Sequence, residues 1–443
     1  MYPVIRNAER INQQGRFSMS SEPQLPVNHE AARGLPPVQP PSAKFIVQLF
    51  VVPALIVLGV LIPVVLLVRG CAKSPEELLA DLHSANSDVR WRAAEQLAQM
   101  MPRDRQEALP RFAFNVKFAL DLTGLLQSVL KDEASLVQQI GARSNAEAAK
   151  ENKALDEQQK LIRFLVSTLG NFNIPIPAPV ICKVATTDKG LDGRILHERR
   201  QLAILALKNL GGNLDDYRAL PQERKEGILS DLESATKAGD EDQQSLAHAS
   251  LEYLREGKPL GVEAALVQCS DAQDPLIREA AALALGFWEG DQGERALLRL
   301  LRDDGHGSQL AMEKEKDTDP DAVTEEELQK RYRLEIRYHA LLSLARRGSP
   351  EFREWMGDFA DMLDEEKQLQ NFQVKKDGKY APDQGAASLI VRNALSVLQV
   401  LHEKRPDLDL SKLDPALVKL TESPNYALKE ETKQVRKSLG FTQ

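Results

Sequence analysis

The sequence predicts an all-α solenoid preceded by one transmembrane helix. Two observations carry this reading. Phe45 to Val68 is a run of 24 residues whose only polar side chain is Gln48. Beyond residue 72, apolar residues recur at spacings of three and four, the helical period, nearly to the end of the chain.

Residues 1–44 come first. Six prolines fall between Pro23 and Pro41, and no apolar periodicity runs through the segment. Such a composition buries too little surface to offset chain entropy, so a disordered Pro-rich tail is expected. Pro37-Val38-Gln39-Pro40 fits the P-x-x-P pattern of polyproline ligands, although a flexible tail is much the stronger reading.

Residues 45–68 follow. At about 1.5 Å per residue the run measures roughly 36 Å, enough to cross a hydrocarbon layer of about 30 Å. Lys44 and Arg69 bracket it, and Pro53, Gly59 and Pro63 are tolerated in spanning helices. Its distance from the N-terminus and its length argue against a cleaved signal peptide. The expected localisation is therefore a single-pass membrane protein, with the lipid bilayer contacted through residues 45–68. Flanking charges do not decide its orientation; unpaired cysteines favour a cytoplasmic solenoid.

Residues 72–443 contain a repeating unit. The string Arg-x-x-Ala-x-x-x-Leu occurs at Arg90/Ala93/Leu97, Arg200/Ala203/Leu207, Arg278/Ala281/Leu285 and Arg337/Ala340/Leu344. Each Ala and Leu share a helical face, with the arginine expected to open that face at the helix start. The arginines lie 110, 78 and 59 residues apart. With an acidic insertion at 305–326 set aside, one period of roughly 38 residues accounts for all three gaps, as three, two and one units.

The best-formed unit has a first helix at Val262–Cys269, a turn at Ser270-Asp271, and a second helix capped by Asp274 and begun by Pro275. Its alanines allow close helix approach, Leu283 and Leu285 are expected in the seam, and Gly286 is expected to end the helix. Ser74–Met101 repeats the plan: Pro75 begins helix one, 86–88 is the turn, and Val89–Leu97 is helix two. Asp274 to Gly286, and less completely Asn86 to Leu97, resemble the HEAT-like repeat family of the PBS-lyase type. That resemblance implies an armadillo-like helical architecture of about eight helical hairpins, with a scaffold's role in binding other proteins.

The chemistry-bearing residues are sparse. Net charge is −8, from 57 basic and 65 acidic residues, and the solenoid alone is near −10, so no nucleic acid partner is expected. An acidic scaffold of this kind could suit basic protein segments. Asp317, Asp319 and Asp321 alternate in the insertion, but Ala322 and Leu328 stand where a calcium loop needs Gly and Glu. HEAT-like repeats also build deoxyhypusine hydroxylase, whose iron ligands are His-Glu pairs. Here His29-Glu30, His197-Glu198 and His402-Glu403 occur, and only the second lies near a second-helix start. Bilin lyases resemble these repeats too, but few aromatics (5%) disfavour a chromophore groove. Trp91, Trp288 and Trp355 are expected in core or seams, and Cys182 and Cys269 as buried or free thiols. The expectation is a membrane-anchored scaffold for an unidentified protein partner, not an enzyme, with no catalytic, cofactor-binding or metal residues assigned. The alternative is a HEAT-repeat enzyme or cofactor-binding protein, bilin-lyase-like or deoxyhypusine-hydroxylase-like.

Overall fold

A computed structural model describes residues 74–84, 86–106, 110, 112–140, 145–187, 193–307 and 324–441. They all belong to the second of two units into which the chain divides, the one beginning at Lys73. The expected tail (1–44), the expected transmembrane helix (45–68) and Asp317, Asp319 and Asp321 lie outside the described residues. No described helix is long and apolar enough to cross a membrane.

Seventeen α-helices occupy the described residues: α1 (Pro75–Leu82), α2 (Ser87–Gln106), α3 (Val116–Ile140), α4 (Asn145–Leu169), α5 (Ala178–Thr186), α6 (Gly193–Arg218), α7 (Gln222–Ala235), α8 (Glu241–Glu256), α9 (Val262–Ser270), α10 (Pro275–Leu285), α11 (Asp291–Leu300), α12 (Glu325–Arg347), α13 (Met356–Leu363), α14 (Glu365–Asn371), α15 (Gln384–Lys404), α16 (Asp414–Leu420) and α17 (Tyr426–Ser438). They form a repeat solenoid. Second helices stack in the order α2, α4, α6, α10, α12, α15, α17, and α1, α3, α5, α9 and α11 form the other layer, continued by α13 and α16.

Local signals explain several boundaries. Ser74 and Glu77 close a capping box on α1, and Thr324 and Glu327 close another on α12. The Asp274 side chain accepts from the Leu276 N–H at 2.9 Å, and Pro275 occupies the first turn of α10. All four Ala/Leu pairs of the recurring string are buried to 2% exposure or less, so the string marks the seams between helices. Each fully buried leucine there contributes about 2 kcal/mol.

The period of 38 does not survive for the first two gaps. Arg90 and Arg200 are two steps apart in the stack, not three, because α3 and α4 are 25 residues each and make one oversized hairpin. Arg200 and Arg278 are a single step apart, since α6 packs directly on α10. The α7–α8 hairpin between them leaves the row and packs against α3. Among the described residues, seven helix pairs stand in line beside this displaced hairpin. Arg200 and Arg337 also lie well inside α6 and α12, because both helices carry extra turns before the seam begins.

Gly286 caps the C-terminus of α10, as expected, but with a helical φ of −67° rather than a left-handed one. A Cβ there would sit 2.6 to 2.9 Å from Ser343 of α12, and one on Gly170, after α4, would lie 2.8 Å from the Ala206 Cα of α6. Both glycines permit close approach between successive second helices. The freed carbonyls are taken up across the seam: Ser343 Oγ donates to the Ala282 carbonyl at 2.6 Å, and Asn213 Nδ2 donates to the Gly170 carbonyl at 3.0 Å.

The acidic insertion is shorter at its end than 326, because α12 begins at Glu325. One departure from all-α structure is a hairpin, β1 (Gln373–Lys376) paired antiparallel with β2 (Lys379–Pro382). Asp377 and Gly378 turn it with φ of 52° and 73°, the left-handed values that Asp-Gly supplies.

Candidate functional site

The His-Glu pairs do not converge. His197 of α6 holds its Nδ1 2.5 Å from Asp274 Oδ2, and both side chains are buried, so the histidine ties α6 to the cap of α10. Glu198 receives Arg194 at 3.3 Å and Arg163 at 2.9 Å. His402-Glu403 lies at the far end of α15, and His29-Glu30 is outside the described residues. Among the described residues no group of three His, Cys, Asp or Glu side chains is arranged to hold a metal ion. Glu325, Glu326 and Glu327 form the first turn of α12.

Cys182 of α5 and Cys269 of α9 are buried, and burial beside Cys269 pushes the Cys182 thiol up to about 12. Trp288 donates its indole N–H to the Leu207 carbonyl at 2.9 Å, and Trp355 packs on the core. Trp91, expected inside, is instead 51% exposed on α2. Its helix is the first of the second-helix row, where the described residues offer fewer neighbours to cover it.

A different set of residues defines the candidate site, on the exposed side of the second-helix layer. Leu276, Glu279, Leu283 and Phe287 form a half-buried stripe along α10 and its exit. Leu283 therefore belongs to this face and not to the seam. The Phe287 ring is flanked by cations from both neighbours, Lys208 Nζ of α6 at 5.4 Å and the Arg346 guanidinium of α12 at 4.3 Å. Such contacts are worth about 0.5–2 kcal/mol each. Burial, with the other cation as neighbour, holds the Lys208 ammonium below the usual lysine range, and burial also lowers Arg346.

Among the described residues neither cation forms an ion pair. Lys208 reaches only the Asn209 amide oxygen, at 3.4 Å. Asp215, whose charge acts on Arg346, is itself bound to Arg218 at 2.7 Å.

Toward the other end of the same helices the charge reverses. Glu335 and His339 of α12 face Glu279 of α10. Arg331 binds Glu335 at 2.9 Å, and His339 Nδ1 lies 3.3 Å from Glu279 Oε1 without being aligned for a hydrogen bond. Burial first, and then the Glu279 carboxylate, push the Glu335 carboxyl up to about 7.

A separate groove of about 1120 Å³ lies between α3 and the displaced α7–α8 hairpin. Phe114, Val116, Leu120 and Ile228 supply its apolar lining, and Arg224 stacks 5.7 Å from the Phe114 ring.

Sequence reasoning did not single out Lys208, Phe287 or Arg346. Each is an ordinary residue in its own stretch, and only the direct α6–α10–α12 stacking brings them together.

No family profile matches the chain, and no curated protein sequence is significantly similar to it. Among solved structures, it is similar to a designed armadillo repeat protein at 16% identity and a TM-score of 0.24, over 59% of this chain and 99% of that one. It is also similar to an engineered protein at 14% identity and a TM-score of 0.19, over 83% and 99% respectively. The solenoid described above rests on the helix packing itself.

Proposed function

We propose that this chain is a single-pass membrane scaffold, built from HEAT-like repeats, which binds another protein through its solenoid. The apolar run at 45–68 supports the anchor, and the Asp274–Gly286 stretch, capped and packed as described, supports the repeat type. The observation that carries the reading is the exposed side of the second-helix layer, where Phe287, Lys208 and Arg346 meet and, among the described residues, no carboxylate forms an ion pair with either cation. Half-buried cations are costly to leave uncompensated, and an aromatic ring between them is a typical anchor of a protein interface. No chemical step is assigned to the chain in this reading. The net charge of −8 disfavours nucleic acid as the partner.

The test is crosslinking in intact membranes followed by recovery of the full-length chain. A discrete protein partner is expected, and none in repeated captures would sink the reading. Protease accessibility in the same preparation reports which side the solenoid occupies; the cytoplasmic side is expected, from its unpaired thiols. Stoichiometric iron or a coloured ligand in the purified protein would replace this proposal with a cofactor-binding one.

A further inference from the structure

We infer that the α6–α10–α12 face binds a bipolar segment of a partner protein, whose acidic end meets Lys208 and Arg346 and whose basic end meets Glu279 and Glu335. The inference rests on the scaffold reading and adds the site and the chemistry of what it takes.

Three observations support it. First, the two poles lie on one face. Glu335, His339 and Arg346 are spaced by four and seven residues along α12, which keeps them in register on a helix surface, and all three are partly exposed. Second, the charges at each pole are incompletely compensated among the described residues. Lys208 and Arg346 have no ion-pair carboxylate among the described residues. Among the described residues, Glu279 and Glu335 approach each other with the Arg331 guanidinium bound to Glu335 and the His339 imidazole 3.3 Å from Glu279. Third, the surface between the poles is apolar, with Leu283 and Phe287 half-buried along it.

The poles set the dimensions of the ligand. Eleven residues separate Glu335 from Arg346, about 16 Å along the helix axis. An extended segment covers that distance in about five residues at roughly 3.3 Å each. The expected segment therefore has acidic and basic residues about five positions apart, with an apolar residue between them to cover Phe287. A nucleic acid fits poorly, because a phosphate backbone needs a track of many cations, and here two cations are followed by two carboxylates. A purely basic segment, the partner that overall acidity alone would favour, would be repelled at the Lys208–Arg346 end.

The test uses full-length protein in detergent and fluorescent peptides Glu-Glu-Ala-Leu-Ala-Lys-Lys and its reverse, with controls in which either charged end is replaced by Gln. Fluorescence anisotropy at low salt should show one bipolar peptide binding at least about tenfold tighter than either half-neutralised control. That preference should fall about tenfold in Lys208→Gln/Arg346→Gln, and separately in Glu279→Gln/Glu335→Gln, with helical content unchanged by circular dichroism. The second double variant keeps the test decisive if the first unfolds. Equal affinities for bipolar and half-neutralised peptides, unchanged affinity in both double variants, or no binding at millimolar peptide would overturn the inference. The same variants in the membrane crosslinking experiment separate it from the parent reading: partners retained by both would leave the scaffold standing and reject this face, whereas no partner for the wild type would reject the scaffold itself.

Discussion

Arg278 binds Asp303 through two nitrogens, at 2.6 and 3.0 Å, and spends its remaining donors on the carbonyls of Ala272, Gln273 and His306. One buried guanidinium therefore joins the turn before α10, the end of α11 and the start of the acidic insertion. Its fork geometry suits this set of acceptors, which a lysine would not satisfy.

Replacing Arg278 with Met strands Asp303 and three carbonyls in a nearly closed site. We expect a loss of about 3–5 kcal/mol in the unfolding free energy, read by urea denaturation. Arg278→Lys should recover less than half of it. A cost below about 1 kcal/mol for the Met variant would show the network to be peripheral.

Arg199 of α6 and Glu133 of α3 form a second buried pair, at 2.6 and 2.7 Å, with side chains 4% and 6% exposed. Among the described residues the Arg199 Nε has no hydrogen-bond partner, so the pair is incompletely satisfied. Either single replacement, Arg199→Met or Glu133→Leu, should cost about 3–5 kcal/mol by leaving a lone buried charge. The double variant should regain most of that loss, giving a large coupling energy in a double-mutant cycle.

Gly286→Ala forces a methyl group against Ser343, 2.6 to 2.9 Å away, in the α10–α12 seam. A penalty of about 1–3 kcal/mol is expected by thermal or urea unfolding. Gly227→Ala, where a Cβ meets nothing within 4 Å, is the matched control and should be neutral or slightly stabilising because it lies within a helix.

Glu335 makes stability depend on pH in the direction opposite to that of most carboxylates. Its folded-state pKa of about 7 lies above the ordinary value of 4.5, so the folded chain binds more protons than the unfolded chain between those limits. The contribution of this group is therefore most favourable below about pH 4.5 and is lost as pH rises through 7. Glu335→Gln should be more stable than wild type at pH 8, by on the order of 1–3 kcal/mol, and nearly equal to it at pH 5. An unchanged difference across that range would remove the buried carboxylate pair as its cause.

Cys182 and Cys269 should resist alkylation in the native state, because both thiols are buried and their ionisation is suppressed. Site-resolved mass spectrometry after iodoacetamide at pH 8 should find both unmodified in folded protein and labelled in urea. Fast native labelling of either would mean that the α5–α9 layer opens readily.

The sequence by itself determined the helical class, the seams and the best-formed repeat. Those features depend on local spacing: Ala281 and Leu285 share a face because of the helical period, and Asp274 and Pro275 start α10 through groups within two residues of each other. Asp377-Gly378 carried an equally local turn signal that the helical reading passed over. Which hairpins stand in line was a tertiary decision. A repeat count from arginine spacing assumes equal units, and α3 and α4 lengthen one unit while α7–α8 leaves the row to pack on α3. The face at Phe287 depends on that choice. Lys208 and Phe287 lie 79 residues apart in the chain and meet only because α6 packs directly on α10, so no local signal marks them.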